Sequence, residues 1–66
     1  MAEGTVRWFN DQKGYGFIQQ DDGQDLFVHH TGINGSGSKS LQEGQRVRLE
    51  IETSPKGPNA KDIEIL

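Results

Sequence analysis

Between Arg46 and Glu52 the chain reads Arg-Val-Arg-Leu-Glu-Ile-Glu, polar and apolar residues alternating without a fault. A period of two places Val47, Leu49 and Ile51 on one side of an extended strand and the charges on the other, a pattern that no amphipathic helix produces. Asp62-Ile63-Glu64-Ile65 repeats it after the turn-forming run Ser54-Pro55-Lys56-Gly57-Pro58-Asn59. Towards the front, Thr5 to Asn10, Tyr15 to Gln20 and Leu26 to His30 read as three more strands, joined by short turns at Gln12-Lys13-Gly14 and Asp21-Asp22-Gly23-Gln24. From Thr31 to Glu43 the alternation stops and glycine and serine dominate. This stretch is expected to be one long loop with a helical turn at each end, Ser40-Leu41-Gln42-Glu43 having the spacing of a capping box.

The chain has 66 residues, which limits it to a single domain, residues 1–66. Five short strands in so little chain cannot build two full sheets, but they can close on themselves and so remove exposed edges. The expected fold is all-β, a five-stranded antiparallel barrel of the oligonucleotide-binding (OB) type, with an SH3-like barrel as the alternative. There is no cysteine, hence no disulfide framework and no thiolate metal site. No apolar run approaches the ~20 residues of a membrane span, and MAEGTVRWFN lacks the basic start and apolar stretch of a signal peptide. A soluble, cytoplasmic domain is expected.

The aromatic residues are unevenly spread. Trp8, Phe9, Tyr15, Phe17 and Phe27 all fall between residues 8 and 27. In Tyr15-Gly16-Phe17-Ile18, alternation puts Tyr15 and Phe17 opposite Gly16 and Ile18; in Leu26-Phe27-Val28-His29, it puts Phe27 and His29 opposite Leu26 and Val28. If Ile18, Leu26 and Val28 fill the barrel with Val47, Leu49 and Ile51, the rings look outward, an apolar patch that a monomer seldom keeps without a use. The reverse assignment would bury the rings and leave Gly16 outside, where a missing side chain does little; facing inward, it permits a tight strand corner. Trp8 and Phe9 are neighbours and cannot share a face unless the strand bulges. Trp8 is expected outward and Phe9 partly buried.

Flat rings on a strand surface suit unpaired bases, since every base offers a π face. Arg7, Lys13 and Lys56 stand ready for phosphates. The net charge of −3 opposes binding by bulk charge, but the acids group elsewhere, at Asp21-Asp22 and along Glu50, Glu52, Asp62 and Glu64. Stacking with few phosphate contacts implies a shallow dependence on salt. A barrel that presents its rings to a proline-rich peptide is the rival from another class, and an S1-type RNA-binding barrel is a nearer one. Other chemistry finds little support. His29-His30 has no third histidine or cysteine beside it, and adjacent strand residues point to opposite sides, which argues against a metal site. Gly35-Ser36-Gly37-Ser38-Lys39-Ser40 departs from the order of a phosphate-binding loop, because Ser38 separates Gly37 from Lys39. The carboxylate pair Asp21-Asp22 sits in a turn without a base, so neither an enzyme nor a cofactor is expected.

Taken together, these residues resemble the bacterial cold-shock proteins, free-standing cold-shock domains, over essentially the whole chain. Gly4-Thr5-Val6-Arg7-Trp8-Phe9-Asn10 is similar to the family's opening strand, Lys13-Gly14-Tyr15-Gly16-Phe17-Ile18 to its first ribonucleoprotein motif and Leu26-Phe27-Val28-His29-His30 to its second. Ser40-Leu41, Glu43-Gly44-Gln45 and Lys56-Gly57-Pro58 with Ala60 match later landmarks. The resemblance implies an OB barrel that binds single-stranded RNA and DNA with a pyrimidine lean and keeps RNA free of secondary structure. Its binding surface would fall on Arg7, where lysine is commoner, and on Trp8, Lys13, Tyr15, Phe17, Asp25, Phe27, His29 and Lys56. Asp25 would accept a hydrogen bond from a base edge, unless it only caps the turn before its strand. His30 stands where the second motif usually ends in an aromatic, and Ser38 where the loop often carries one. Imidazole is flat and can stack over less area, so His30 joins the candidate surface and binding weaker than the family norm is expected. Histidine ordinarily titrates near ~6.5, so His29 and His30 are expected to tighten binding below that pH. A monomer is expected, although a loose Gly/Ser loop leaves strand exchange open.

Overall fold

Alternation in the sequence becomes two faces of a closed sheet. The computed structural model describes residues 1–35 and 40–66. Among these residues the strands are β1 (Ala2–Asn10), β2 (Tyr15–Gln20), β3 (Asp25–His29), β4 (Arg46–Ser54) and β5 (Gly57–Ile65), with a 3₁₀ turn at His30–Gly32 after β3. They form a closed barrel in the order β1-β2-β3-β5-β4. Closure leaves no long edge free to pair with a second chain.

The core is aliphatic. Val6, Ile18, Leu26, Val28, Val47, Leu49 and Ile63 are wholly buried, and Ile33, Leu41 and Ala60 nearly so. Each such side chain contributes roughly 1.5–3 kcal/mol by leaving water. Gly4 and Gly16 lie inward with them, and at Gly16 a Cβ would run into the backbone of Trp8 and Phe9. The missing side chain is what lets β1 cross so closely over β2.

Two bulges break the period of two, and both matter. On β1, Val6 faces Ile18 but Trp8 faces Phe17, so Arg7 is an extra residue. The bulge turns Trp8 to the outer face beside Arg7 and sends Phe9 inward against the core. On β5, Arg48 pairs with Glu64 while Glu50 pairs with Lys61, so β5 carries the extra residue. Asp62 takes it up with φ +50, the left-handed region that few side chains other than Asn and Asp tolerate. Ala60 and Ile63, three positions apart, can therefore both point inward.

Several expectations change. The barrel is not antiparallel throughout: β3 and β5 run parallel, pairing Phe27 with Asn59 and Val28 with Ala60. Ile51 keeps its alternation but is 41% exposed, so it is not core. The turn after β4 is shorter than Ser54–Asn59, because Gly57 already begins β5. A 3₁₀ turn does open the segment after β3, but among the described residues none closes it. Ser40 does not cap a helix; its hydroxyl donates to Asp11 in the β1–β2 turn, and Glu43-Gly44 forms a simple turn before β4. The readings made for Ser36 to Lys39, Ser38 included, fall outside the described residues.

Candidate nucleic-acid interface

The turn at Asn10 to Gly14 sets the outer edge of the interface. Lys13 N–H donates to the Asn10 side chain at 2.8 Å and Gly14 N–H to the Asn10 carbonyl at 2.7 Å. Gly14 has φ +76, a conformation that glycine adopts without cost, and its carbonyl accepts from His30 N–H at 2.7 Å. The His30 ring lies directly on it: a Cβ on Gly14 would come within 2.5 Å of His30 Cδ2. The glycines of KGYGFI thus have separate tasks, Gly14 seating the His30 ring and Gly16 the β1 backbone.

Tyr15, Phe17 and Phe27 follow across β2 and β3, and the β1 bulge adds Trp8. Ring centroids are 5.9 Å apart for Trp8–Tyr15, 5.6 Å for Trp8–Phe17, 5.7 Å for Phe17–Phe27 and 5.8 Å for Tyr15–Phe27. Each ring holds its neighbours in place, and such pairs contribute about 0.5–1.5 kcal/mol beyond burial. Trp8 remains 42% exposed and Phe27 36%, so the surface is ordered yet open.

His29 pairs with Tyr15 across the strands and extends the rings towards the 3₁₀ turn. His29 Nδ1 lies 3.1 Å from the Thr31 hydroxyl and accepts from Thr31 N–H at 3.4 Å. The two histidines do not point to opposite sides. His30 has left the strand, and the ring centroids are 4.3 Å apart with planes tilted by 38°. Among the described residues no group of three metal-ligating side chains comes together.

On the other flank a groove of about 480 Å³ runs between the β2–β3 pair and the β4–β5 turn. Phe17, Phe27 and Pro58 supply apolar walls, Asp25 and Asn59 hydrogen-bonding groups and Lys56 a cation. Asp25 does not cap the preceding turn; Asp22 does, accepting from Gln24 N–H at 2.9 Å. Asp25 instead stands 4.0 Å from Arg7, both half-exposed, a pair worth little in water. Pro58 and Asn59 are not among the binding residues expected from the sequence. Only the long-range parallel pairing of β3 with β5 brings them here, and no local pattern announces it.

Elsewhere two sets of opposite charges answer each other. Arg46 donates to both Asp21 oxygens at 2.7 and 2.9 Å and to Thr5 at 3.0 Å, with Glu3 at 3.4 Å. The hydrogen bond from Arg46 holds the Asp21 carboxyl below the usual carboxylate range, and the same bond raises Arg46. Lys61 pairs with Glu52 at 3.4 Å. Among the described residues Lys13 and Lys56 have no acidic partner within ion-pair distance, and they lie at the two ends of the ring surface.

Exposed, mutually braced rings on a five-stranded barrel, with cations at their margin, define a nucleic-acid-binding barrel. Comparison with known sequences makes the class specific. Residues 2–66 match the family described as the 'Cold-shock' DNA-binding domain, and the chain belongs to this family. It is 55% identical over 64 residues to the cold shock-like protein CspA of Stigmatella aurantiaca, covering 96% of this chain and 94% of that protein. It is 51% identical over 67 residues to the probable cold shock protein A of Mycolicibacterium smegmatis, covering 100% of both. With cold shock protein CspB of Geobacillus stearothermophilus the identity is 52% over 63 residues, covering 96% of each.

Proposed function

We propose that the ring surface binds single-stranded RNA or DNA by stacking unpaired bases on Trp8, Phe17, Phe27 and His29, with Tyr15 and His30 completing the surface. Arg7, Lys13 and Lys56 meet phosphates, and Asp25 accepts a hydrogen bond from a base edge. The observation that carries this reading is the run of contacting, exposed rings across β1, β2 and β3 on a protein of net charge −3. Bulk electrostatics cannot supply the affinity, whereas stacking contributes ~1–3 kcal/mol per base. A duplex keeps its bases stacked on each other and has none to offer. Binding that favours the open strand pulls RNA away from secondary structure, so the protein acts as an RNA chaperone, in transcription and translation or in a stress response. We assign it a pyrimidine preference, a monomeric state and a cytoplasmic location; among the described residues no helix is long and apolar enough to cross a membrane.

Trp8 is the only tryptophan and lies among the rings, which makes the test direct. Titration with a short oligothymidine is expected to quench its fluorescence to saturation, an equal-length duplex to do so little, and the salt slope to be shallow. Absence of quenching by every single strand, DNA or RNA, would sink this reading in favour of a protein partner.

A further inference from the structure

Beyond Phe27, away from the other rings, lies a second concavity of about 350 Å³, at the small end of ligand-sized pockets. It sits where the parallel β3–β5 seam meets the 3₁₀ turn. Phe27 and His29 form the side towards the rings. Gly32 lies on its floor, so close to β5 that a Cβ there would come within 3.0 Å of the Ala60 carbonyl oxygen. The far rim carries Glu52, Asn59, Lys61 and Asp62.

The charges of this rim disfavour a phosphate. Lys61 is already paired with Glu52 at 3.4 Å, and among the described residues the Asp62 carboxylate has no ion-pair partner. A local excess of negative charge repels the backbone of a nucleic acid and attracts a neutral group with N–H to donate. Asp62, carried here by the β5 bulge, only accepts; the Asn59 amide both donates and accepts. Phe27 and His29 are two residues apart on one face of β3, roughly 6.7 Å along the strand. That is about twice the ~3.4 Å step of stacked bases, which leaves room for one base between them.

We propose that this pocket receives one base of the bound strand and selects a base with an exocyclic amino group, cytosine among the pyrimidines. The amino N–H donates to the Asp62 carboxylate, and Asn59 donates to the adjacent ring acceptor. Thymine and uracil present a carbonyl oxygen where cytosine has its amino group, and that oxygen is repelled by Asp62. The inference rests on the single-strand reading above and adds a base-reading element to it.

The test is a positional scan by Trp8 quenching, using heptathymidine, seven variants with one deoxycytidine and seven with one ribothymidine, on the wild type and on Asp62→Asn. Asparagine tolerates the left-handed backbone as aspartate does, so the variant keeps the bulge, and an unchanged melting temperature verifies this. At one position cytosine is expected to bind about fivefold tighter than thymine, and Asp62→Asn to reduce that preference below about twofold. The proposal is overturned if no position discriminates, if the discrimination survives Asp62→Asn, or if ribothymidine is preferred without any preference for cytosine, which would assign the pocket to a sugar hydroxyl. Failure of heptathymidine itself to quench Trp8 is a separate result and removes the single-strand reading as well.

Discussion

Two corners of the barrel share β1 and β2 and treat their side chains in different ways. At one, Arg46 on β4 gathers Asp21, Glu3 and Thr5, so that the charged groups answer each other inside the protein. At the other, Trp8, Tyr15, Phe17 and Phe27 meet in edge-on, tilted and stacked pairs and still leave apolar area in water. The first arrangement is complete without a partner. The second leaves apolar area that the fold itself does not cover. A core made largely of aliphatic residues and glycine allows this division, because Phe9 alone among the five rings packs against it and the other four stay available at the surface.

The comparison breaks most severely at Gly16, which supports the ring corner from beneath. Gly16→Ala is expected to cost about 1–3 kcal/mol in urea denaturation, because the added methyl meets strand backbone that has nowhere to move. Near-native stability would show that β1 can lift away from β2. The next test uses neighbours on β3. Leu26 is buried and Phe27 is 36% exposed, so Leu26→Ala should lose ~2–5 kcal/mol of stability. Phe27→Ala should spare most of the stability and lose ~1–3 kcal/mol of oligonucleotide affinity. Should Phe27→Ala unfold the protein and leave binding intact, the ring would belong to the core. A smaller effect is expected from Lys13→Gln, which should reduce the magnitude of the salt slope of single-strand binding by about 0.7 if Lys13 meets one phosphate.

The smallest effect lies at the charged corner. Asp21 is held below its ordinary range when folded, so its pairing stabilises the protein at pH values above the unfolded carboxyl's ~3.9 and ceases to do so as pH falls through the lower folded value. Arg46→Gln should therefore melt at a slightly lower temperature than the wild type at pH 7, with the difference shrinking as pH falls below the ordinary carboxylate range. Because both side chains are about half-exposed, the difference should also shrink in high salt. Oligonucleotide affinity should be unaffected; a loss of binding would show that the two corners are coupled.

Most of the strands were legible because a period of two is written into consecutive residues. β2 spans the range its alternation indicates, and β3 differs from its reading by one residue at each end, since His30 turns out of the strand. The outward direction of Tyr15, Phe17 and Phe27 followed from the same alternation, with inward Gly16 as support. What local pattern could not supply was any feature created by residues far apart in the chain. Trp8 faces outward because of a bulge that depends on how β1 registers against β2. Ile51 alternates as well as Leu49 does and is nevertheless exposed, because burial depends on what the closed barrel places opposite it.

The sequence by itself determined an all-β chain with an aliphatic inside, an aromatic outside and cations beside the rings, since side-chain direction in a strand needs only local geometry. The tertiary structure alone decided the parallel β3–β5 seam, the groove that brings Lys56, Pro58 and Asn59 to Phe27, the approach of His30 to His29, and the bulge that puts Asp62 on a pocket rim. Each of these depends on closing the barrel, a contest of registers among distant strands that no single stretch of residues records.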